Sequence, residues 1–288
     1  MSVRVAPILS ADVPAVAEFL HRHLNARQSP AEWAESMTPP WQGPAPNHGF
    51  MLVDDGRPDP VVGAYLAFYS TRTIGGAEES FCNLAGWCVL PDRRIHSVRL
   101  LKALLDQPDY TFTDLTPSGN AIKINTRLGF RFLDAEAVAV PNLPWLSARG
   151  RVSSDPRDLE RLLTGAELER YRDHRRARAA RHVVLSAGDD WCYVMFRRDH
   201  PRNLPLFASL IHVSDPVLFR RLFRPFCAHL LLRYGIPATL VEPRLAGFRP
   251  RGSVAVPSQR RKMFRSPKLQ PDQIDYLYSE LACVTTAT

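Results

Sequence analysis

Short alternating runs of hydrophobic and polar residues give way to helical spacing midway through the first half of the chain. Residues 3–8 (VRVAPI) alternate as a strand does, and HGFMLV, VVGAYLAFYSTRTI and SFCNLAGWCVL are further β-rich runs. Residues 95–105 then carry apolar side chains at helical spacing, and YTFTDL at 110–115 is β-rich again. The pattern predicts several strands, then an amphipathic helix, then one more strand.

The same order of runs returns in the second half of the chain. RHVVLSAGDD and WCYVMFRRD predict a hairpin, LFASLIHV a third strand, the segment from Asp215 to Gly235 a helix, and IPATLVEP a closing strand. Two later runs, RRKMFRSPKL and IDYLYSELACV, are predicted as terminal strands. We therefore predict a duplicated mixed α/β unit, with domains at 1–145 and 146–288 joined through a proline- and serine-rich linker.

The charge of the chain favours anionic ligands. A formal net charge of +8, from 37 basic and 29 acidic residues, suits phosphorylated cofactors, nucleic acid or acidic sugars. No run approaches the roughly 20 apolar residues of a membrane span, and the first residues lack the pattern of a signal peptide. The five cysteines have no metal-ligand spacing. We expect a cytoplasmic protein with reduced thiols and no metal.

Two motifs in the first half resemble those of the GNAT acyltransferase superfamily, V-x-P-x-x-R-x-x-G-x-G/A-x-x-L-L and the later N-x-x-A-x-x-x-Y-x-x-x-G-F. The matching residues are Val89, Pro91, Arg94, Leu101, Leu104 and Leu105 for the first motif, and Ala121, Leu128, Gly129 and Phe130 for the second. This likeness covers residues 3–140 and reaches 157–288 only through the duplication.

The resemblance implies an α/β fold of two tandem GNAT-like domains, each a twisted mixed β-sheet flanked by helices. Within the superfamily, the chain is similar to acyltransferase-like proteins associated with bacterial exopolysaccharide biosynthesis. The first domain would bind acyl-CoA, either acetyl-CoA or a longer acyl-CoA, as co-substrate. Its acceptor would be an amine or hydroxyl of a small molecule or sugar precursor.

The loop that would hold the CoA pyrophosphate departs from the motif. Members carry glycines there that let backbone amides approach the phosphates at a helix N-terminus. This chain has Ile95, Ser97 or Val98 at those positions, depending on how the loop is aligned. We expect side chains to replace part of that contact. The residues that the resemblance then implies as phosphate ligands are Arg93, Arg94, His96 and Ser97.

The resemblance also implies the chemistry, in which the acceptor attacks the thioester directly. Trp87, Cys88 and Val89 would hold the pantetheine arm and supply a backbone N–H to the developing oxyanion. Glu79 and Asp114 are the candidate bases, although a solvated loop pair and a turn cap are the respective alternatives.

The acid of this reaction has no obvious residue. Asn125 stands where members often have a tyrosine that protonates the departing thiolate, and an asparagine is no acid near neutral pH. The second half lacks both the arginine pair and the later motif, so we expect it to shape the acceptor site.

Two other functions stay open. The arginine-rich run at 170–182 suits a Fem-type transferase that takes its acyl group from aminoacyl-tRNA. A non-catalytic protein that keeps the fold as a binding module would explain both departures from the motifs.

Overall fold

The computed structural model describes residues 3–145, 150–199, 206–256 and 261–285. These residues form two compact units. Unit 1 contains residues 1–133, 260–274 and 278–285, and unit 2 contains residues 134–259, 275–277 and 286–288. The predicted boundary between 145 and 146 falls inside the main segment of unit 2, next to residues that lie outside the described ranges. Each unit therefore draws on both halves of the sequence.

The first half of the chain supplies most of unit 1. The elements of this half of the sequence, in order, are β1 (Arg4–Pro7), α1 (Val13–His23), α2 (Pro30–Met37), β2 (Gly49–Val53), β3 (Val61–Ile74), β4 (Ala77–Val89), a 3-10 helix (Pro91–His96), α3 (Ser97–Leu105), β5 (Tyr110–Asp114), α4 (Gly119–Arg127), β6 (Arg131–Phe132) and β7 (Ala137–Pro141).

The second half supplies most of unit 2. The elements of this half of the sequence are β8 (Arg151–Ser153), α5 (Pro156–Leu162), α6 (Gly165–His174), β9 (Ala180–Ala187), β10 (Asp190–Asp199), β11 (Phe207–Val213), α7 (Pro216–Tyr234), β12 (Ala238–Val241), α8 (Pro243–Ala246), β13 (Val254–Val256), β14 (Met263–Arg265), a 3-10 helix (Pro271–Gln273) and α9 (Glu280–Cys283).

The two sheets have the same strand order. Unit 1 is ordered β1-β2-β3-β4-β5-β14-β6 and unit 2 is ordered β8-β9-β10-β11-β12-β7-β13. In the described residues, the parallel pairs are β4 with β5 and β11 with β12, each joined by a crossover helix, and the other pairs are antiparallel. The predicted duplication and the predicted α/β class with two mixed sheets are confirmed.

Each sheet contains one strand from the opposite half of the sequence. β14 lies between β5 and β6 in unit 1, and β7 lies between β12 and β13 in unit 2. The run RRKMFRSPKL therefore forms the predicted strand, as β14. The run IDYLYSELACV does not, because its described residues form the short helix α9 and irregular chain.

A β-bulge interrupts the central antiparallel pair at the same place in both units. The register of β3 against β4 shifts between Ala64 and Leu66, and Gly86 of β4 has a φ of 63° in the left-handed region that favours glycine. The register of β10 against β11 shifts between Met195 and Phe196. Each bulge lies just beyond the last residue of its strand that pairs with the parallel neighbour.

Each unit packs its crossover helix against its sheet. In unit 1, Leu100, Leu101 and Leu104 of α3 are fully buried in the cluster that includes Phe112 of β5. In unit 2, the buried face of α7 packs on β10 and β11 in the same way. No helix in the described ranges is both long enough and apolar enough to cross a membrane.

Candidate functional site

The parallel strands of unit 1 separate at one end. β4 and β5 are paired from Ser80 with Tyr110 to Leu84 with Asp114, where β5 ends. β4 continues to Val89 and stays paired only with β3 on its other side. The backbone of Trp87, Cys88 and Val89 therefore has an edge without a β5 partner. An edge of this kind can pair with an extended ligand.

A cavity of about 520 Å³ lies at this opening. Its wall on β4 and the following turn consists of residues 87–91, Arg94 and Ser97. The helix α4 forms the opposite wall, and the last turn of α1 contributes two basic side chains. These two helices and the residue that caps α4 line the cavity with Arg22, His23, Ser118, Asn120, Ala121 and Ile124. The volume is in the range typical of sites for cofactors and small molecules.

The structure brings five of the predicted cofactor residues together. Trp87, Cys88, Val89, Arg94 and Ser97 all line the cavity. Burial raises the pKa of the Cys88 thiol to about 11, although the nearby Arg94 opposes that shift. Cys88 is thus a neutral thiol in the cavity wall. Arg94 lines the same wall and makes no ion pair with any residue that the structure describes.

Arg93, predicted as a phosphate ligand, does not line the cavity. Its Nε and Nη2 atoms lie 3.1 and 2.9 Å from Oδ2 of Asp54, and its Nη1 lies 2.9 Å from Oδ2 of Asp92. The hydrogen bonds from Arg93 lower the pKa of the Asp54 carboxyl. Arg93 therefore fastens the turn after β4 to the end of β2. Asp54 lies 39 residues before Arg93, so local sequence patterns did not indicate this partner.

His96 also lies outside the cavity wall. It precedes α3, and its Nδ1 lies 3.5 Å from Nη1 of Arg99. The turn that holds it is a 3-10 helix, so the amide of Arg93 donates to Leu90 O and the amide of Ser97 donates to Arg94 O. Because these N–H groups are used inside the turn, they are not directed at a ligand. The segment at 91–96 is therefore a helical turn and not an open phosphate loop.

Asp114 lies behind the cavity wall. It is 3% exposed, and its Oδ2 accepts hydrogen bonds from Asn125 Nδ2 at 2.8 Å and from the Tyr65 hydroxyl at 3.3 Å. Burial raises the pKa of Asp114 to about 7, against the opposing effect of those two bonds and of the Thr116 amide. This carboxyl therefore exchanges its proton near neutral pH.

An aromatic pair separates Asp114 from the cavity. The ring of Tyr65, whose hydroxyl donates to Asp114, stacks on the indole of Trp87 with centroids 4.7 Å apart and planes 6° apart. Trp87 in turn lines the cavity. Asp114 thus supports the wall through Tyr65 and does not line the cavity.

Glu79 lies at the other end of β4, which separates it from the predicted site. Nine residues of extended strand place it about 30 Å from Cys88. It lines a different cavity, together with Tyr110 and Lys268. The structure therefore does not bring Glu79 together with the other predicted catalytic and cofactor residues.

Sequence reasoning missed the contributions of α1 and α4. Arg22 and His23 come from the last turn of α1, and Arg22 pairs with Glu18 and Asp59 at 2.8 and 3.0 Å. The only signal was the run of basic residues that ends α1. Ser118, in the PSGN segment at 117–120, caps α4 and lines the cavity.

The corresponding end of the parallel pair in unit 2 is occupied by its own side chains. Oδ1 of Asp215 accepts the amides of Val217 and Leu218 at the N-terminus of α7, so a carboxylate already fills the place of an anion. His212, just beyond the bulge of β11, lies with its Nε2 2.8 Å from Oε2 of Glu167. At Asp215 and His212, unit 2 therefore has no open wall like that of the 520 Å³ cavity in unit 1.

At least three of the six arginines in the arginine-rich run pair with carboxylates of the described residues. Arg172 and Arg175 both contact Glu160, at 2.8 and 2.9 Å, and Arg170 contacts Glu167. These pairs reduce the positive field that the sequence suggested for residues 170–182, which form the end of α6, a turn and the start of β9. In the described ranges, no group of three or more histidine, cysteine, aspartate or glutamate side chains is placed to hold a metal ion.

No family model and no curated protein matches the sequence. Solved structures do match the fold. A GCN5-related N-acetyltransferase from Anabaena variabilis is 12% identical, with 92% of this chain and 72% of that chain covered and a TM-score of 0.58. A putative acetyltransferase from Pyrococcus horikoshii is 12% identical, with 96% and 93% covered and a TM-score of 0.55.

N-myristoyltransferase from Saccharomyces cerevisiae, with bound myristoyl-CoA, is 10% identical, with 99% of this chain and 86% of that chain covered and a TM-score of 0.52. At such identities the likeness concerns the fold. The repeated sheet order, the bulge on β4 and the opening beside β5 agree with it. The fold of this chain is that of the GNAT acyltransferase superfamily.

Proposed function

We propose that the protein transfers an acyl group from acyl-CoA to an amine or hydroxyl, with the donor bound in the 520 Å³ cavity of unit 1. One observation carries the proposal: β4 leaves β5 at Leu84, and the free edge of residues 87–89 lines that cavity. An extended pantetheine arm has amide groups that pair with such an edge. The fold supports this donor, since similar structures include acetyltransferases and a myristoyl-CoA complex.

The cavity residues divide the work of binding by their chemistry. Arg94 supplies the charge for a phosphate, and the Ser97, Ser118 and Asn120 side chains supply neutral hydrogen-bond groups. A backbone N–H on the free edge of β4 would stabilise the oxyanion that forms when the acceptor attacks the thioester. Because the turn at 91–96 uses its own amides, side chains carry more of the phosphate contact than an open glycine loop would require.

Asp114 remains our candidate for proton acceptor. Its pKa of about 7 suits a general base near neutral pH. Since it lies behind Tyr65 and Trp87, the proton would reach it through a hydroxyl or a water rather than by direct contact. Glu79 is left out of the mechanism because of its distance along β4. The acceptor itself, a small molecule or sugar precursor, is proposed only as a class.

Calorimetric titration with CoA, acetyl-CoA and a longer acyl-CoA tests the donor. We expect Arg94→Ala to weaken binding about tenfold or more, because a charge-assisted contact to phosphate is lost. Arg127→Ala, on the exposed end of α4, is the matched control and should bind as the wild type does. Arg93→Ala should lower the melting temperature instead, since it leaves Asp54 without its partner.

Two results would reject this donor. One is the absence of saturable binding to any of the three ligands, and the other is an equal loss in the Arg94 and Arg127 variants. A preference that rises with acyl length would identify a long-chain donor, because each added methylene buries apolar surface.

A second candidate, a non-catalytic binding protein, is favoured by the helical turn at 91–96. Contacts from backbone amides to the phosphates would help an enzyme of this fold to bind CoA. In this turn the amides donate to carbonyl groups of the turn itself. Binding of acyl-CoA without acyl transfer to any amine or hydroxyl in a broad acceptor panel would support this candidate. The tRNA-dependent alternative is weakened by the ion pairs of the arginine-rich run.

A further inference from the structure

One side of the helical segment after β4 exposes apolar and basic side chains together. Ile95, Val98 and Lys102 follow one another at helical spacing, and Arg94 and Arg99 lie beside them in sequence. All five are exposed, Ile95 by 85% and Val98 by 46%, whereas the leucines on the other side of α3 pack on the sheet. We call these five residues the α3 surface.

The cations of the α3 surface have no ion pair with any residue that the structure describes. They are Arg94, Arg99 and Lys102. Nη1 of Arg99 donates to the Val3 carbonyl at 2.8 Å, which holds that guanidinium in place. Asp92, which precedes the α3 surface, is already in ion pairs with two other arginines. The α3 surface therefore suits an acidic partner.

The α3 surface borders the opening of the 520 Å³ cavity. Arg94 belongs to both, and Ser97, which precedes Val98, lines the cavity wall. A partner that covers the α3 surface can therefore pass an extended arm into the cavity, toward the free edge of β4.

The arginines of the cavity wall suit a donor with a single phosphate. Arg22 pairs with Glu18 and Asp59, whereas Arg94 has no ion pair within the described ranges. The turn at 91–96 uses its amides internally. CoA carries a diphosphate and a further phosphate on its ribose. A phosphopantetheine arm attached to a protein carries only one phosphodiester, which Arg94 can pair with.

We propose that the α3 surface docks an acidic carrier protein, which presents the acyl group on a phosphopantetheine arm. This inference rests on the proposed acyl transfer and specifies its donor. Ile95 and Val98 form the apolar centre of the contact and the three cations its charged rim, a composition typical of contacts between proteins. The two aliphatic side chains favour a protein over a nucleic acid, whose backbone presents phosphates and sugars.

The transfer itself is unchanged by this donor. The nitrogen or oxygen of the acceptor bonds to the acyl carbon, and the bond between that carbon and the sulfur of the arm breaks. The arm remains on the carrier as a thiol, with the proton that the acceptor loses.

Titration calorimetry of the full chain tests the proposal. The probes are octanoyl-CoA and a small acidic acyl carrier protein of fatty-acid synthesis, with an octanoyl-loaded arm and without the arm. The loaded carrier should bind at least about tenfold more tightly than either of the other two. Its affinity should fall as salt is added, because salt screens exposed charges.

Two matched pairs of variants locate the contact. Lys102→Glu should weaken the loaded carrier about tenfold or more, whereas Arg157→Glu makes the same change of net charge on α5 of unit 2 and should stay within about twofold. Ile95→Ser should also weaken the loaded carrier, and Leu232→Ser, at a site that is 75% exposed on α7, should not. Octanoyl-CoA should bind all four variants as it binds the wild type, since none of these residues lines the cavity.

Three results would overturn the proposal. They are a loaded carrier that binds no more tightly than octanoyl-CoA, equal effects of the Lys102 and Arg157 variants, and tRNA that binds more tightly than the loaded carrier. Circular dichroism and melting curves establish that each variant is folded, which we expect because all four side chains are exposed.

The same titrations separate this proposal from the acyl transfer on which it rests. Saturable binding of octanoyl-CoA without a preference for the carrier rejects the carrier and leaves acyl transfer from CoA. Binding of the loaded carrier alone supports the carrier and rejects CoA as donor, whereas the absence of binding to both rejects both proposals.

Discussion

At the scale of single residues, Asp114 and Asn125 form the most sensitive pair in unit 1. Asn125 is fully buried, donates its Nδ2 to Asp114, and leaves its Oδ1 without a hydrogen-bond partner among the described residues. If Asp114 takes up a proton, reversal of the Asn125 amide would let its Oδ1 accept a hydrogen bond from the protonated carboxyl. Asn125, at the position where the GNAT motif has a tyrosine, can thus form a hydrogen bond with Asp114 in either protonation state of the carboxyl.

The raised pKa of Asp114 makes stability depend on pH. The folded carboxyl has a pKa of about 7, above its ordinary value of 3.8, so the folded state favours the proton. The stability that this provides is fully present below pH 3.8 and is lost as the pH rises to 7. Relative to Asp114→Asn, the wild type should lose about 2–3 kcal/mol of unfolding free energy between pH 5 and pH 8.

Urea unfolding of both proteins at the two pH values measures this difference. Asparagine at 114 can keep the hydrogen bond to a reversed Asn125 amide, so the variant should fold. A difference that stays constant from pH 5 to pH 8 would contradict the raised pKa.

Residue identities were predictable where neighbours in sequence are neighbours in space. Trp87, Cys88 and Val89 lie on one strand, and Arg94 and Ser97 follow on the next turn, so a single stretch of sequence indicated them together. The position of Arg93 outside the cavity wall was not predictable, because its partner, Asp54, comes from another element. Arg22 was missed for the same reason, since the packing of α1 brings it to the cavity.

At the scale of elements, the bulge of β4 sets the shape of the site. Gly86 has a φ of 63°, and a Cβ built there would lie 3.3 Å from Leu66 Cδ1. A glycine inside a strand is typical of a bulge, and the register of β3 against β4 shifts here. The helix α3 and the succession of strands along the chain were likewise predictable from periodicity. The exchange of β7 and β14 was not, because periodicity does not specify a strand's partner.

Substitution of Gly86 tests the bulge. Gly86→Ala should destabilise unit 1 by about 1–2 kcal/mol, because a left-handed φ is unfavourable for a residue with a Cβ. It should also weaken any ligand of the 520 Å³ cavity, since residues 87–89 follow directly. Gly119→Ala is the control: it has open space around its Cβ position and an ordinary φ at the start of α4.

Denaturant unfolding and ligand titration measure the two effects of Gly86→Ala. A Gly86 variant as stable as the Gly119 variant would show that the bulge does not depend on the glycine.

At the scale of the whole molecule, neither half of the sequence contains a complete sheet. Unit 1 needs β14, whose Met263 and Phe264 are fully buried between β5 and β6. A chain that ends at residue 145 should therefore lack cooperative unfolding and give a poorly dispersed NMR spectrum. A dispersed spectrum with a sharp unfolding transition would show that β5 tolerates the loss of its neighbour.

The exchange of strands also sets the order of events during synthesis. Residues 1–133 of unit 1 must wait for residue 265 to be made, which takes roughly 7 to 26 s at about 5–20 residues per second. During that interval the edge of β5 is open to other strands. A ribosome that stops early releases a chain in which unit 1 lacks an internal strand, so degradation rather than partial activity is the expected fate of truncated products.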